Sequence, residues 1–180
     1  NLTNAANTTA AIEDLLEAIS IIKKNRPSIS LTVIGGTDAR YMQYLKNLSL
    51  KLQIDNNVDF IGFVPTQEDI YKYAIKAKLC VLPTYHDIIP GTIIESMYLK
   101  LPVVAYVVGG IPELNEKAKT IILVEKSKIN QLAECIINLL TQPEKRRTLA
   151  ENASKYAHER FNNNLVVSDI LKAYKTLIQK

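Results

Sequence analysis

The sequence has few of the residues that hold metal ions or form disulfides. It contains two cysteines, Cys80 and Cys135, and two histidines, His86 and His158, and the four are isolated from one another along the chain. They provide neither a disulfide framework nor the ligand spacing of a zinc site. We therefore expect no metal requirement and a location in the reducing cytosol.

Long apolar runs and a strong charge of one sign are also missing. No run approaches the ~18 residues that cross a bilayer, and no secretory signal pattern opens the chain. The net charge of +4 comes from 22 basic and 18 acidic residues, spread along the sequence. Short basic clusters such as Lys145–Arg147 fit solvated helix ends, so we expect no nucleic-acid partner, while peripheral contact with the inner face of a membrane stays open.

The chain does have length and a regular alternation of patterns. Its 180 residues, 47% of them hydrophobic, suffice for one domain that buries about 70% of its unfolded surface. Segments of helical spacing alternate with β-rich runs at Ile29–Gly35, Val58–Val64, Leu79–Leu82, Pro102–Tyr106 and Thr120–Val124. This alternation predicts a single Rossmann-like α/β domain, an open parallel sheet with helices on both faces.

Beyond Val124 only helical patterns remain, which predicts a helical C-terminal extension with helices near 129–140, 142–160 and 165–178. Open parallel sheets bind ligands outside the carboxyl ends of their strands. The candidate ligand loops are therefore those that follow Gly35, Val64, Leu82, Tyr106 and Val124.

The stretch Pro83–Ala105 carries the most chemical information. It predicts a strand end, a loop that contains Asp87, a helix that begins near Thr92, and a second strand. Glu95 falls in the first turn of that helix, so the two acids can face one crevice.

This arrangement suits a sugar diphosphate. Free N–H groups around Ile89, Gly91 and Thr92 can point at phosphate, and the helix dipole favours an anion there. Gly91 allows a close backbone approach. A carboxylate can accept from two vicinal hydroxyls, so Glu95 could hold a ribose and Asp87 the donor sugar.

Two structural interpretations compete with this one. Thr92 and Glu95 fit a capping box, in which the glutamate only caps its own helix. Asp87 could be an ordinary turn acid. Residue spacing alone leaves these alternatives open. The pair Gly35-Gly36, by contrast, is not a G-x-G-x-x-G fingerprint, which argues against a dehydrogenase.

Several motifs, in order, resemble those of glycosyltransferase family four, the retaining enzymes with the two-domain GT-B fold. They are Leu31–Gly36 (LTVIGG), Val58–Val64 (VDFIGFV), Glu95–Met97 (ESM), Pro102–Ala105 (PVVA) and Gly109–Glu113 (GGIPE). Together they span nearly the whole chain.

The resemblance implies a C-terminal donor-binding domain that covers residues 1–180, with the N-terminal acceptor domain of the parent protein absent. The donor would be a UDP- or GDP-sugar held without metal, and the acceptor a glycan or a lipid-linked glycan in surface polysaccharide synthesis. Asp87 would be the catalytic residue that contacts the donor sugar, and Glu95 would bind the ribose. The other implied donor-binding residues are Gly35, Gly36, Val64, Ile88, Ile89, Pro90, Gly91 and Thr92. We expect the chain alone to bind donor without transferring sugar.

Two departures from the family pattern keep other functions open. The family carries an Arg and, five residues later, a Lys near the start of this domain, where this sequence has Ala5 and Ala10. Asp87 stands where the family usually has Glu. One alternative is therefore a non-catalytic member that binds a nucleotide or a protein partner without turnover. A sugar-nucleotide epimerase of related architecture is a further alternative, but it needs acids and histidines that are not seen here.

Overall fold

The structure is a computed structural model that describes residues 12–116 and 118–178. Its strands are β1 (Leu31–Ile34), β2 (Val58–Gly62), β3 (Cys80–Leu82), β4 (Val103–Tyr106) and β5 (Ile122–Val124). Its helices are α1 (Ile12–Lys23), α2 (Ala39–Lys51), α3 (Gln67–Ala74), α4 (Gly91–Tyr98), α5 (Ile129–Thr141), α6 (Pro143–Arg160) and α7 (Asn163–Ile178). Short 3-10 turns lie at Asp55–Asn57 and Ile111–Asn115.

All the strand pairs in this part of the chain are parallel. β1 pairs with β2, and β3, β4 and β5 pair in that order. Every residue of β3 and β4 is buried, as strands covered on both faces require. The predicted parallel α/β architecture is confirmed.

Alternation along the strands divides the core into two layers, one on each face. Val81 and Val104 pack with α1 and α5 in one cluster. Cys80 and Ala105 pack on the opposite face with residues of α4 and α6. Because successive side chains of a strand point to opposite faces, three or four residues per strand are enough to join both layers.

The strands are shorter than the apolar runs that predicted them. Gly35 and Gly62 take φ values of 138° and 77°, outside the range of a regular strand, and end β1 and β2 there. At the other end of β1, the amide of Ile29 donates to the carbonyl of Arg26 and closes a turn, so the strand begins only at Leu31. The C-terminal helices lie close to their predicted positions.

Within the described residues no helix is both long and apolar enough to cross a membrane. The last helix, α7, leaves a set of apolar side chains exposed, namely Val166, Val167, Ile170, Leu171, Tyr174 and Ile178.

Candidate functional site

The amino terminus of α4 is an open helix end at the carboxyl side of β3. The helix begins at Gly91, one residue before the predicted start, and the preceding Pro90 offers no side chain that could cap it. Ile93 donates to the carbonyl of Pro90 (3.0 Å), which tightens the first turn. In the described part of the chain no side chain caps this end, so the amides of Gly91 and Thr92 are available to an anion.

Glu95 projects from the first turns of α4 towards a neighbouring helix. Its Oε2 accepts a hydrogen bond of 2.7 Å from Nε2 of Gln67, at the start of α3. The capping-box interpretation is therefore wrong, because this carboxylate is not folded back onto its own main chain. Partial burial raises the pKa of Glu95, and the hydrogen bond from Gln67 opposes that rise.

A shallow hollow of about 500 Å³ opens at the loop between β3 and α4. It is lined by Tyr85, His86, Asp87, Ile88 and Gly109. Asp87 is exposed, and the Ile88 side chain is 82% exposed. The structure thus places Asp87 at an accessible surface in the loop that leads from β3 to α4.

The backbone of this loop is held by the turn that follows β4. Gly110 donates to the carbonyl of Ile88 (2.7 Å). Gly109 has a φ of 50°, and a Cβ there would overlap the carbonyl oxygen of Asp87. Glycine at this position is therefore required for the loops after β3 and β4 to touch.

The other predicted donor residues lie on the loops after β1 and β2. The amide of Gly35 donates to the carbonyl of Gly62 (2.9 Å), which joins the two loops. A Cβ at Gly36 would lie 3.3 Å from Cβ of Phe63, whose side chain is 76% exposed. Val64 is half-buried and packs against the core below.

A buried carboxylate lies beneath the hollow and was not predicted. Asp14, on α1, is 8% exposed and accepts hydrogen bonds from the hydroxyls of Tyr85 (3.0 Å to each oxygen) and Tyr106 (2.7 Å). The two tyrosine rings stack at 6.2 Å between centroids. Burial, and then the bond to Asp14, raise the pKa of Tyr106, and burial also raises the pKa of Tyr85, so both phenols remain hydrogen-bond donors.

A cation also lies at this edge of the sheet. Lys126, in the loop after β5, places its Nζ 5.4 Å from the centroid of the Tyr85 ring. The loop after Val124 is one of the predicted ligand loops, but no motif in the sequence marks this lysine. Ala5 and Ala10 lie outside the described residues. No group of acids, histidines and cysteines in the described ranges could hold a metal ion.

The fold and these loops define a parallel α/β domain with its candidate site at the carboxyl ends of the strands. Comparison with known families assigns the chain further. The family model described as Glycosyl transferases group 1 matches residues 4–156. The chain belongs to this family, as its motifs predicted.

Its relatives include proteins named as glycosyltransferases. An uncharacterised glycosyltransferase of Haemophilus influenzae is 28% identical over 72% of this chain and 36% of its own length. The capsular polysaccharide biosynthesis glycosyltransferase CapM of Staphylococcus aureus is 24% identical over 94% of this chain and 43% of its own. The chain thus spans less than half the length of these curated relatives.

Solved structures share the fold. Anabaena HepE in complex with UDP superposes with a TM-score of 0.87 and 22% identity, over 97% of this chain and 48% of that one. The C-terminal domain of LpcC from Francisella tularensis, a group 1 glycosyl transferase, superposes with a TM-score of 0.78 and 22% identity, over 90% of this chain and 86% of that one.

Proposed function

We propose that this chain is the donor-binding half of a retaining glycosyltransferase. It would hold a nucleotide-sugar whose sugar is moved to a glycan or lipid-linked acceptor in surface polysaccharide synthesis. Family membership supports a transferase. The HepE fold neighbour was solved with UDP-glucose, and the CapM relative is named for capsular polysaccharide synthesis.

One observation carries the proposal: Glu95 presents its carboxylate to the side chain of Gln67 and not to its own helix. A carboxylate bound to one amide still has lone pairs for two vicinal hydroxyls. The ribose would therefore be held by Glu95. The diphosphate would lie on the uncapped end of α4, where the backbone from Ile88 to Thr92 surrounds it.

The base and the sugar would lie on either side of this cradle. The base would rest between Gly35, Gly36 and Val64, next to the exposed ring of Phe63. The donor sugar would occupy the hollow, where Asp87 can accept from its hydroxyls. The acceptor would be bound by a part of the protein outside this chain.

In the transfer step, the bond between the anomeric carbon and the β-phosphate oxygen would break, and its electron pair would stay on the leaving diphosphate. The hydroxyl oxygen of the acceptor would bond to the anomeric carbon on the same face, and its proton would pass to the leaving phosphate oxygen. The amides and dipole of α4 are aimed at this growing negative charge. Lys126 is the cation that we assign to the same crevice, in the absence of basic residues at positions 5 and 10.

Calorimetric titration with UDP, GDP and their sugars tests the proposal. We expect saturable binding of one nucleotide series in the presence of a chelator. Glu95→Ala should weaken binding at least about tenfold, because it removes charge-assisted hydrogen bonds, while Glu144→Ala, a surface control on α6, should not. Lys126→Gln should weaken nucleotide binding but not nucleoside binding. Equal nucleotide affinity in Glu95→Ala and wild type would contradict the proposal.

A further inference from the structure

A second hollow lies at the opposite end of the strands from the candidate donor site. It has a volume of about 400 Å³ and opens between the residues that lead into β1 and those that lead into β3. Its lining includes Ser28, Ser30 and Thr32 on the β1 side and Lys78 and Leu79 on the β3 side. Nothing in the proposed donor function uses this site.

The charge of this hollow is of one sign. Arg26, Lys76 and Lys78 line it, and no aspartate or glutamate does. Hydroxyl groups of Ser28, Ser30, Thr32 and Tyr73 are the other polar side chains of the lining. The lining thus offers hydroxyl groups and positive charges, with no carboxylate in the lining to neutralise those charges.

Arg26 is the most informative member because it is half-buried. Within residues 12–116 and 118–178 no ion pair and no side-chain hydrogen bond involves its guanidinium. Arginine is costly to bury without a partner, and its planar fork matches phosphate oxygens in a two-point contact. A half-buried arginine whose guanidinium is unpaired, beside two lysines, therefore points to a ligand that carries phosphate.

Backbone turns fix the cations at the rim. The carbonyl of Arg26 accepts from the amide of Ile29 (3.0 Å), which closes the turn after α1. The amide of Lys76 donates to the carbonyl of Tyr73 (3.1 Å) in the turn that ends α3. The two segments face each other over a floor formed by Ile19, Ile136 and Leu140.

We propose that this hollow is a second binding site, specific for a phosphate-bearing anion. The phosphate would be gripped by Arg26 with Lys76 and Lys78, and the serine and threonine hydroxyls would donate to its remaining oxygens. A soluble phosphate compound and the headgroup of an anionic lipid share this chemistry.

Two-dimensional NMR of the chain titrated with inorganic phosphate tests the first source. We expect saturable shifts of the amides of Ser28, Ser30 and Lys78. Sedimentation with vesicles of phosphatidylglycerol, compared with phosphatidylcholine, tests the second. In either arm Arg26→Gln should weaken binding about tenfold, the loss of one charge-assisted two-point contact. Arg147→Gln, an arginine on α6 outside the hollow, should leave binding unchanged.

The double variant Lys76→Gln/Lys78→Gln repeats the test without touching Arg26, in case that substitution impairs folding. UDP affinity should be the same in all these variants, which separates this site from the donor site. If phosphate binds and the Arg26 and Lys76/Lys78 variants lose that binding, the ligand is a soluble phosphate compound. If anionic vesicles bind and these variants lose that binding, the ligand is a lipid headgroup. If neither phosphate nor anionic vesicles bind, or if Arg26→Gln behaves as Arg147→Gln does, the proposal is wrong.

Discussion

At the scale of single residues, the candidate site contains a carboxylate that is partly removed from water. Glu95 is half-buried between α3 and α4, and its bond to Gln67 fixes where its oxygens lie. Burial disfavours the charged form and raises the pKa of this side chain. The free-energy cost of partly desolvating a carboxylate is often accepted at binding sites, which makes Glu95 a candidate binding residue.

The raised pKa of Glu95 predicts a pH dependence of donor binding. As the pH falls through this pKa, which lies above the ordinary value of 4.5, Glu95 takes up a proton and loses one acceptor oxygen. Affinity for UDP-glucose, whose diphosphate does not titrate in that range, should fall there. Calorimetry at a series of pH values measures it. Glu95→Gln should bind weakly at every pH and lack this fall.

The free energy of unfolding should change in the opposite direction to donor affinity over the same pH range. Because the folded state binds this proton more tightly than the unfolded state, the contribution of Glu95 to the free energy of unfolding increases as the pH falls towards 4.5. A donor affinity that stays constant across the window would contradict the assignment of the ribose to Glu95.

The sequence predicted Glu95 and Asp87 but not their surroundings. Both acids belong to one continuous segment, so local spacing and the family motif were sufficient to predict them as candidate site residues. Gln67 lies 28 positions before Glu95, and Asp14 lies 71 positions before Tyr85. No local pattern marks such pairs, because only the packing of helices and strands brings them together.

At the scale of elements, two glycines have different tasks. Gly109 has a positive φ and is packed against the carbonyl of Asp87, so it fixes the contact between two loops. Gly91 opens α4 and has no atom within 4 Å of the place where a Cβ would lie. That empty space is where the diphosphate would approach.

The two glycines therefore predict opposite results when each is replaced by alanine. Gly109→Ala should lower the free energy of unfolding by at least about 1–2 kcal/mol, because of the positive φ and the overlap with Asp87. Gly91→Ala should change it by less than about 0.5 kcal/mol but weaken nucleotide binding. Urea denaturation and calorimetry measure the two effects. A stable Gly109→Ala variant, or a Gly91→Ala variant with full affinity, would contradict these roles.

Element types followed from the sequence more reliably than element ends did. Apolar periodicity predicted where strands and C-terminal helices follow one another along the chain, because burial on one or two faces of an element imposes that periodicity. The ends depend on backbone features that periodicity does not show, such as the positive φ of Gly62 that ends β2. For this reason Phe63 and Val64 lie on a loop and not in the strand.

At the scale of the whole molecule, one buried carboxylate joins three parts of the fold. Asp14 belongs to α1, Tyr85 to the loop after β3, and Tyr106 to the end of β4. The hydrogen bonds among them connect the helical layer to the floor of the candidate site. The shape of the hollow at the candidate donor site thus depends on contacts between residues that are far apart in sequence.

Asp14→Ala should therefore affect stability and the site together. It leaves the hydroxyl of the fully buried Tyr106 without its acceptor, which should lower the free energy of unfolding by about 2 kcal/mol. The same change removes the acceptor of Tyr85 and should weaken binding of a UDP-sugar more than binding of UDP. The double variant with Tyr106→Phe should recover part of the stability. Stability equal to wild type in Asp14→Ala would contradict this role.

The central claim is that the open end of α4 and Glu95 together hold an activated sugar. A crystal structure of the chain with bound UDP-glucose tests it most directly. We predict diphosphate oxygens within hydrogen-bonding distance of the amides of Gly91 and Thr92, and both ribose hydroxyls on the Glu95 carboxylate. A nucleotide bound elsewhere, with Glu95 still bonded only to Gln67, would contradict the account.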